Sequence, residues 1–130
     1  MATSFSKFLL EFQDDWNISL PTLAVELYVN YNTLLDWIYK GKIPTGENLE
    51  AIKRYFGGLD DIEFDRKVYK RMVKVTAPNG VRSLYRTVLE TSTQTPISVS
   101  VFNKYKNTDK AIPDGRAKGY RIDYEYMEVN

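Results

Sequence analysis

The stretch Leu20-Pro21-Thr22-Leu23-Ala24-Val25-Glu26-Leu27-Tyr28-Val29-Asn30-Tyr31-Asn32-Thr33-Leu34-Leu35-Asp36-Trp37-Ile38-Tyr39-Lys40-Gly41 decides the fold of the first half of the chain. Ser19, just before it, carries a hydroxyl that can accept from the free amides of a helix start. Pro21 falls in the first turn, where no amide donor is missed. Leu23, Ala24 and Leu27 form a short apolar stripe, and the small Ala24 permits a close helix crossing. Tyr28-Val29 makes a turn. Asn30 is a good cap for a further helix, Tyr31–Tyr39, with Leu34, Trp37 and Ile38 facing inward, and Gly41 ends it. Short helix, tight turn, short helix is the helix-turn-helix arrangement.

Helical spacing continues on both sides. Phe5, Phe8, Leu9, Phe12 and Trp16 predict a helix over Phe5–Trp16, with Ser4 as its cap. Pro44-Thr45 leads into a fourth helix with Leu49, Ile52, Tyr55 and Phe56 on one face, and Gly57-Gly58 stops it.

The second half is rich in Val, Thr, Ser and Tyr. Lys67–Val75 mixes helical and alternating spacing, and its end reads as a strand. Asn79-Gly80 is a hairpin signal, since both residues can take positive φ. Val81–Thr91 is expected as the partner strand. Pro96 is expected to open another, with Ile97, Val99 and Val101 on one face. The tail Gly119–Val129 alternates Tyr120, Ile122, Tyr124 and Tyr126 against Arg121, Asp123, Glu125 and Met127, as a half-buried strand does. Lys104–Lys118 reads as a polar excursion. The expected fold class is α+β: an N-terminal helix-turn-helix domain over residues 1–63, then a small basic antiparallel sheet of about four strands over 64–130, which also serves dimerisation.

The 130 residues contain no cysteine and no histidine. That removes disulfides, thiol nucleophiles, thiolate or imidazole metal sites and Ser-His chemistry. Phosphate-binding, dinucleotide-binding and nucleophile-elbow motifs are absent. Asp14-Asp15 and Asp60-Asp61 are adjacent pairs, which point apart on a helix and make no carboxylate dyad. The expectation is therefore a protein that is not an enzyme, with no cofactor and no metal. No apolar run reaches membrane-spanning length and no signal-peptide layout is present, so a cytoplasmic protein that does not engage a membrane is expected. The net charge of +1 hides a division. Residues 1–65 hold five basic and eleven acidic side chains, a net −6. The remainder holds thirteen basic and six acidic, a net +7. Such halves attract each other, within one chain or between two.

The ordered landmarks Leu23-Ala24-x2-Leu27-x-Val29-x3-Thr33-Leu34-x2-Trp37, Gly41-x-Ile43-Pro44 and Glu47-Asn48-Leu49-x2-Ile52-x2-Tyr55-Phe56-Gly57 resemble the lambda-repressor/Cro-like helix-turn-helix family over Leu20–Ile62. The resemblance implies a third helix lying in a major groove of double-stranded DNA. Tyr31, Asn32, Thr33, Leu35 and Asp36 would then lie near bases or phosphates, with Lys40 and Lys42 following on the backbone side. Tyr28 stands where that family often has glycine. The helix presents Asp36 and has no Arg or Lys before Lys40, so the phosphate-neutralising charge that supplies most non-specific affinity is missing from its start. The same module can serve purely for packing or dimerisation. Asn32 can pair with adenine or can cap a helix.

A second candidate surface is basic. Arg66, Lys67, Lys70, Arg71, Lys74, Arg82 and Arg86 form one group; Lys104, Lys106, Lys110, Arg116 and Lys118 form another, and Tyr69, Tyr85 and Tyr105 interleave. Cations with aromatics suit a phosphate backbone or exposed bases, and equally a solvated sheet face. Phe102-x2-Tyr105-x6-Ile112-Pro113-x-Gly115-Arg116, preceded by Tyr85-x2-Val88-x-Glu90, resembles the C-terminal domain of helix-turn-helix-containing anti-Cas9 proteins of streptococcal phages. That resemblance implies a phage origin, action in the host cytoplasm, a homodimer formed through the C-terminal domain, and Cas9 as a protein partner. Two functions are thus expected as alternatives: a nucleic-acid-binding phage regulator of transcription, or an anti-CRISPR-like inhibitor of a host defence protein.

Overall fold

The computed structural model describes residues 2–129. Its elements in order are β1 (Thr3–Ser4), α1 (Phe5–Trp16), α2 (Leu20–Leu27), α3 (Tyr31–Tyr39), α4 (Gly46–Phe56), β2 (Ile62–Glu63), β3 (Val68–Thr76), β4 (Arg82–Tyr85), α5 (Val88–Gln94), α6 (Val99–Tyr105) and β5 (Arg121–Val129). β1 and β2 pair in parallel, and a small antiparallel sheet has the order β4-β3-β5. The fold class is α+β. The described residues form two compact units. One reaches to Lys70 and includes Glu128 and Val129; the other is Arg71–Met127.

In the first unit the local signals act as expected. The Ser19 hydroxyl accepts from the Thr22 amide at 3.3 Å, and Asn30 Oδ1 accepts from the Asn32 amide at 2.8 Å. Tyr28 closes α2 in the left-handed region at φ 58°, and Gly57 closes α4 at φ 76°. Leu23, Ala24 and Leu27 of α2, Leu34, Trp37 and Ile38 of α3, Leu9 and Leu10 of α1 and Ile52 of α4 are buried. Phe5 packs against Trp37 and Phe64, with ring centroids 5.9 and 5.0 Å away. Buried Ser6 donates to the Ile38 carbonyl and accepts from the Tyr69 amide, so it joins α1, the end of α3 and β3 with its polar atom satisfied. Ser4 departs from expectation: it stands at the α1 start, but its hydroxyl bonds Asp65 at 2.5 Å and accepts nothing from the helix.

The second unit corrects several expectations. The hairpin after β3 is present, but only Gly80 takes positive φ, at 87°. Ala77 donates to Val81 O and Gly80 donates to Ala77 O, with Pro78 at the second turn position. This is the chemistry of a three-residue loop with a left-handed glycine, not of a two-residue turn. The expected strand Val81–Thr91 is a strand only at Arg82–Tyr85, and α5 follows. The reason is a cap: Thr87 Oγ1 accepts from the Glu90 amide while the Glu90 carboxylate accepts from the Arg86 amide. The strand expected from Pro96 is also a helix, α6. The Ser98 hydroxyl accepts from Val101 N, Phe102 is buried, and Val99 is exposed, which ends the alternating pattern.

The sheet accordingly has three strands rather than four. In place of a fourth, Asn107 lies along β5: its amide donates to Ile122 O at 2.9 Å and its Oδ1 accepts from Tyr124 N at 2.8 Å. The excursion that reads as polar contributes Ile112 and Ala117 to a core with Val73, Val75, Ile97, Phe102 and Ile122.

Candidate nucleic-acid interface

α2 and α3 pack against each other across a three-residue turn, Tyr28-Val29-Asn30. The buried stripe of α3 directs its remaining residues outward. Tyr31 and Asn32 in the first turn are exposed, Thr33, Leu35 and Asp36 are half-buried, and Lys40 and Lys42 are exposed. Because Asn30 supplies the cap, the Asn32 side chain is not consumed by the helix start. Its side-chain carboxamide offers an N–H donor and a carbonyl acceptor that complement the N7 acceptor and N6 donor of adenine in the major groove.

The acidic member of this face is neutralised locally. Asp36 Oδ1 lies 3.4 Å from Lys40 Nζ, and Oδ2 lies 3.4 Å from Lys42 Nζ. The backbone builds this clamp. Lys40 N and Lys42 N both donate to Asp36 O, at 3.0 and 3.2 Å, and the second bond requires the chain to turn back at Gly41. Gly41 takes φ 69°, and a β-carbon there would sit 2.4 Å from Arg66 O. Partial desolvation pushes the Asp36 carboxyl upward, but the hydrogen bonds and charges of Lys40 and Lys42 outweigh it and hold it below the ordinary 3.8. The Asp36, Lys40 and Lys42 group carries a net +1 at neutral pH. Val25, Tyr28 and Tyr39 are also exposed and lie outside the expected contact set. Their only sequence signal is position: each falls off the buried stripe of its helix.

The basic residues divide between the units. Arg66, Lys67 and Lys70 belong to the first and are exposed. Lys67 Nζ lies 3.6 Å from the Glu128 carboxylate. The charge of Glu128 first, then those of Tyr69 and Asp65, hold the ammonium above its ordinary pKa. Arg71, Lys74, Arg82, Arg86, Lys104, Lys106, Lys110, Arg116 and Lys118 belong to the second unit. There Lys74 lies opposite Leu84 and Thr76 opposite Arg82, so Lys74 and Arg82 share the sheet face away from buried Val73 and Val75. Arg71 and Lys106 both approach the Tyr124 ring, at 4.7 and 5.8 Å from its centroid, and Lys104 approaches Tyr105 at 5.5 Å. Arg86 precedes α5, while Arg116 and Lys118 stand exposed in the loop before β5. The second unit thus spreads its cations over a sheet face, a Tyr124 cluster and a loop. Among the described residues no cluster of His, Cys, Asp and Glu is arranged to hold a metal ion, and no helix is long and apolar enough to cross a membrane. No family model, curated protein or solved structure matches this chain.

Proposed function

We propose that the chain is a small phage-type regulatory protein that binds double-stranded DNA, or another nucleic acid, as a homodimer. In this reading α3 supplies sequence preference, and Lys40, Lys42, Lys70 and the cations of the second unit supply phosphate contacts. The observation that carries it is the outward face of α3: the Asn32 side-chain carboxamide is not used in capping because Asn30 caps the helix, and Asp36 is clamped between Lys40 and Lys42. A face with neutralised acid, a free carboxamide and two lysines suits a major groove, where a bare carboxylate would be repelled.

The test is a fluorescence-anisotropy titration of mixed-sequence duplex DNA at two salt concentrations. Affinity should fall steeply with salt. Lys40→Ala or Lys42→Ala should each reduce the slope of log affinity against log salt by about 1, and Asn32→Ala should change site preference at a cost of about 1–3 kcal/mol. Charge reversal at Lys70 and Arg71 should flatten the salt dependence further. Unchanged binding in all these variants excludes this reading.

The net −6 of residues 1–65 favours a second reading, an inhibitor of a host defence protein such as Cas9. An acidic surface suits a partner whose own surface is basic because it handles nucleic acid. Absence of duplex binding at low salt, together with retention of a host nuclease on immobilised protein, selects it.

A further inference from the structure

A groove of about 860 Å³ opens on the first unit between the end of α1, the start of α2 and the end of α4. Its wall is aromatic. Phe12 and Trp16 of α1 have ring centroids 6.0 Å apart, and Phe12 meets Tyr55 of α4 edge-on at 6.1 Å. Phe56 packs against Phe12 and Tyr55, each at 4.9 Å. Trp16 is 72% exposed, and Tyr55 is also open to solvent. Glu26 of α2 lies in the same groove, where it accepts a 2.5 Å hydrogen bond from the Tyr55 hydroxyl. No lysine or arginine among the described residues pairs with Glu26.

Each component has a chemical preference. The faces of Trp, Tyr and Phe attract cations, Trp most strongly. A carboxylate without a counter-ion beside those rings adds a full negative charge. Its bond to Tyr55 fixes it against the aromatic wall. The acid residues Glu11, Asp14 and Asp15 lie on the α1 turns that carry Phe12 and Trp16, and Asp60 and Asp61 follow α4 closely. The groove lies within residues 1–65, which carry a net −6, with Lys53 and Arg54 preceding Tyr55 on α4.

We infer that this groove binds an arginine or lysine side chain presented by a basic segment of a partner protein. The cation lies against Trp16 and Tyr55 and pairs with Glu26. The groove is open, so it cannot desolvate a small free ammonium compound on all sides. Stable binding requires the flanking chain of a peptide to cover the rest of the aromatic surface. The inference is independent of DNA recognition by α3.

The experiment uses the full chain and a fluorophore-labelled, end-blocked decapeptide of alternating arginine and glycine. Binding is followed by anisotropy, with the same peptide carrying glutamine for arginine as the comparison. The arginine peptide should bind saturably, and the glutamine peptide at least tenfold more weakly. Trp16→Ala should weaken binding by about two- to thirtyfold, the range for loss of a cation–π contact. Glu26→Gln should weaken it by about tenfold. Asp60→Asn with Asp61→Asn should change it less than about twofold. Thermal melts of each variant confirm that the fold persists. The inference is overturned by no binding of the arginine peptide, by equal binding of the two peptides, by unchanged affinity in Trp16→Ala or Glu26→Gln, or by an Asp60/Asp61 effect as large as that of Glu26.

Discussion

Gly41 shows how one residue can serve both fold and site. Its left-handed backbone turns Lys42 back toward Asp36, and the Arg66 carbonyl occupies the space where a side chain would begin. Gly41→Ala adds strained φ and a clash with backbone that no rotamer relieves. It should cost about 2–4 kcal/mol in urea unfolding, and it should also separate Lys42 from the Asp36 carboxylate. Tyr55 offers a pH test. Its hydrogen bond to Glu26, with desolvation and the Glu26 charge, raises its pKa above the ordinary 10.0. A raised folded-state pKa gives stability that is fully present below the unfolded value and lost as pH climbs through the folded one. The stability gap between wild type and Tyr55→Phe should be flat from about pH 7 to 9 and close above about pH 10. Tyr55 is 40% exposed, so the gap should be no more than about 1 kcal/mol. Chemical denaturation across that pH range measures it.

At the scale of elements, helices whose ends carry caps are legible in the sequence. Ser19, Asn30 and Gly57 set three boundaries in the first unit through bonds made within a few residues. α5 also carried its signal, Thr87-x-x-Glu90, but Val, Thr and Tyr around it read as strand composition. α6 was obscured by Ile97, Val99 and Val101, whose spacing alternates although Val99 faces solvent. The candidate site shows the same limit. Tyr31 and Asn32 follow from helix phase, whereas neutralisation of Asp36 depends on the turn at Gly41. The cover on β5 was hidden for another reason. Asn107 reaches residues fifteen and seventeen positions later, and no local pattern encodes such a bond. Asn107→Ala removes the acceptor of the Tyr124 amide and places a β-carbon without a local hydrogen-bonding group at φ 56°. It should cost about 1–3 kcal/mol and speed hydrogen exchange at Tyr124, whereas Asn107→Gly should retain the backbone and lose only the side-chain bond, about 1 kcal/mol.

Across the whole molecule, two cores of different character account for the composition shift. The first is built mainly from Leu, Ile and aromatic residues on helices, the second from Val73 and Val75 of β3, Ile122 of β5, Phe102 of α6 and, in the loops between elements, Ile97, Ile112 and Ala117. Phe102 is the largest fully buried side chain of the second core. Phe102→Ala should destabilise by about 3–5 kcal/mol, and hydrogen exchange should rise first within Arg71–Met127, with α1 to α3 retaining more protection. Leu27→Ala, which empties space in the first core, should reverse that order.

The return of Glu128 to the first unit has a consequence for anyone wishing to dissect this chain. The second unit interrupts the first as a parenthesis interrupts a sentence, opened at Arg71 and closed at Met127. A stop codon after Lys70 therefore releases the first unit without its returning segment, and so without the carboxylate that Lys67 meets. A clean excision needs two scissions and one splice. β3 and β5 are hydrogen-bonded neighbours, so a short glycine-rich bridge from Lys70 to Glu128 is the natural splice.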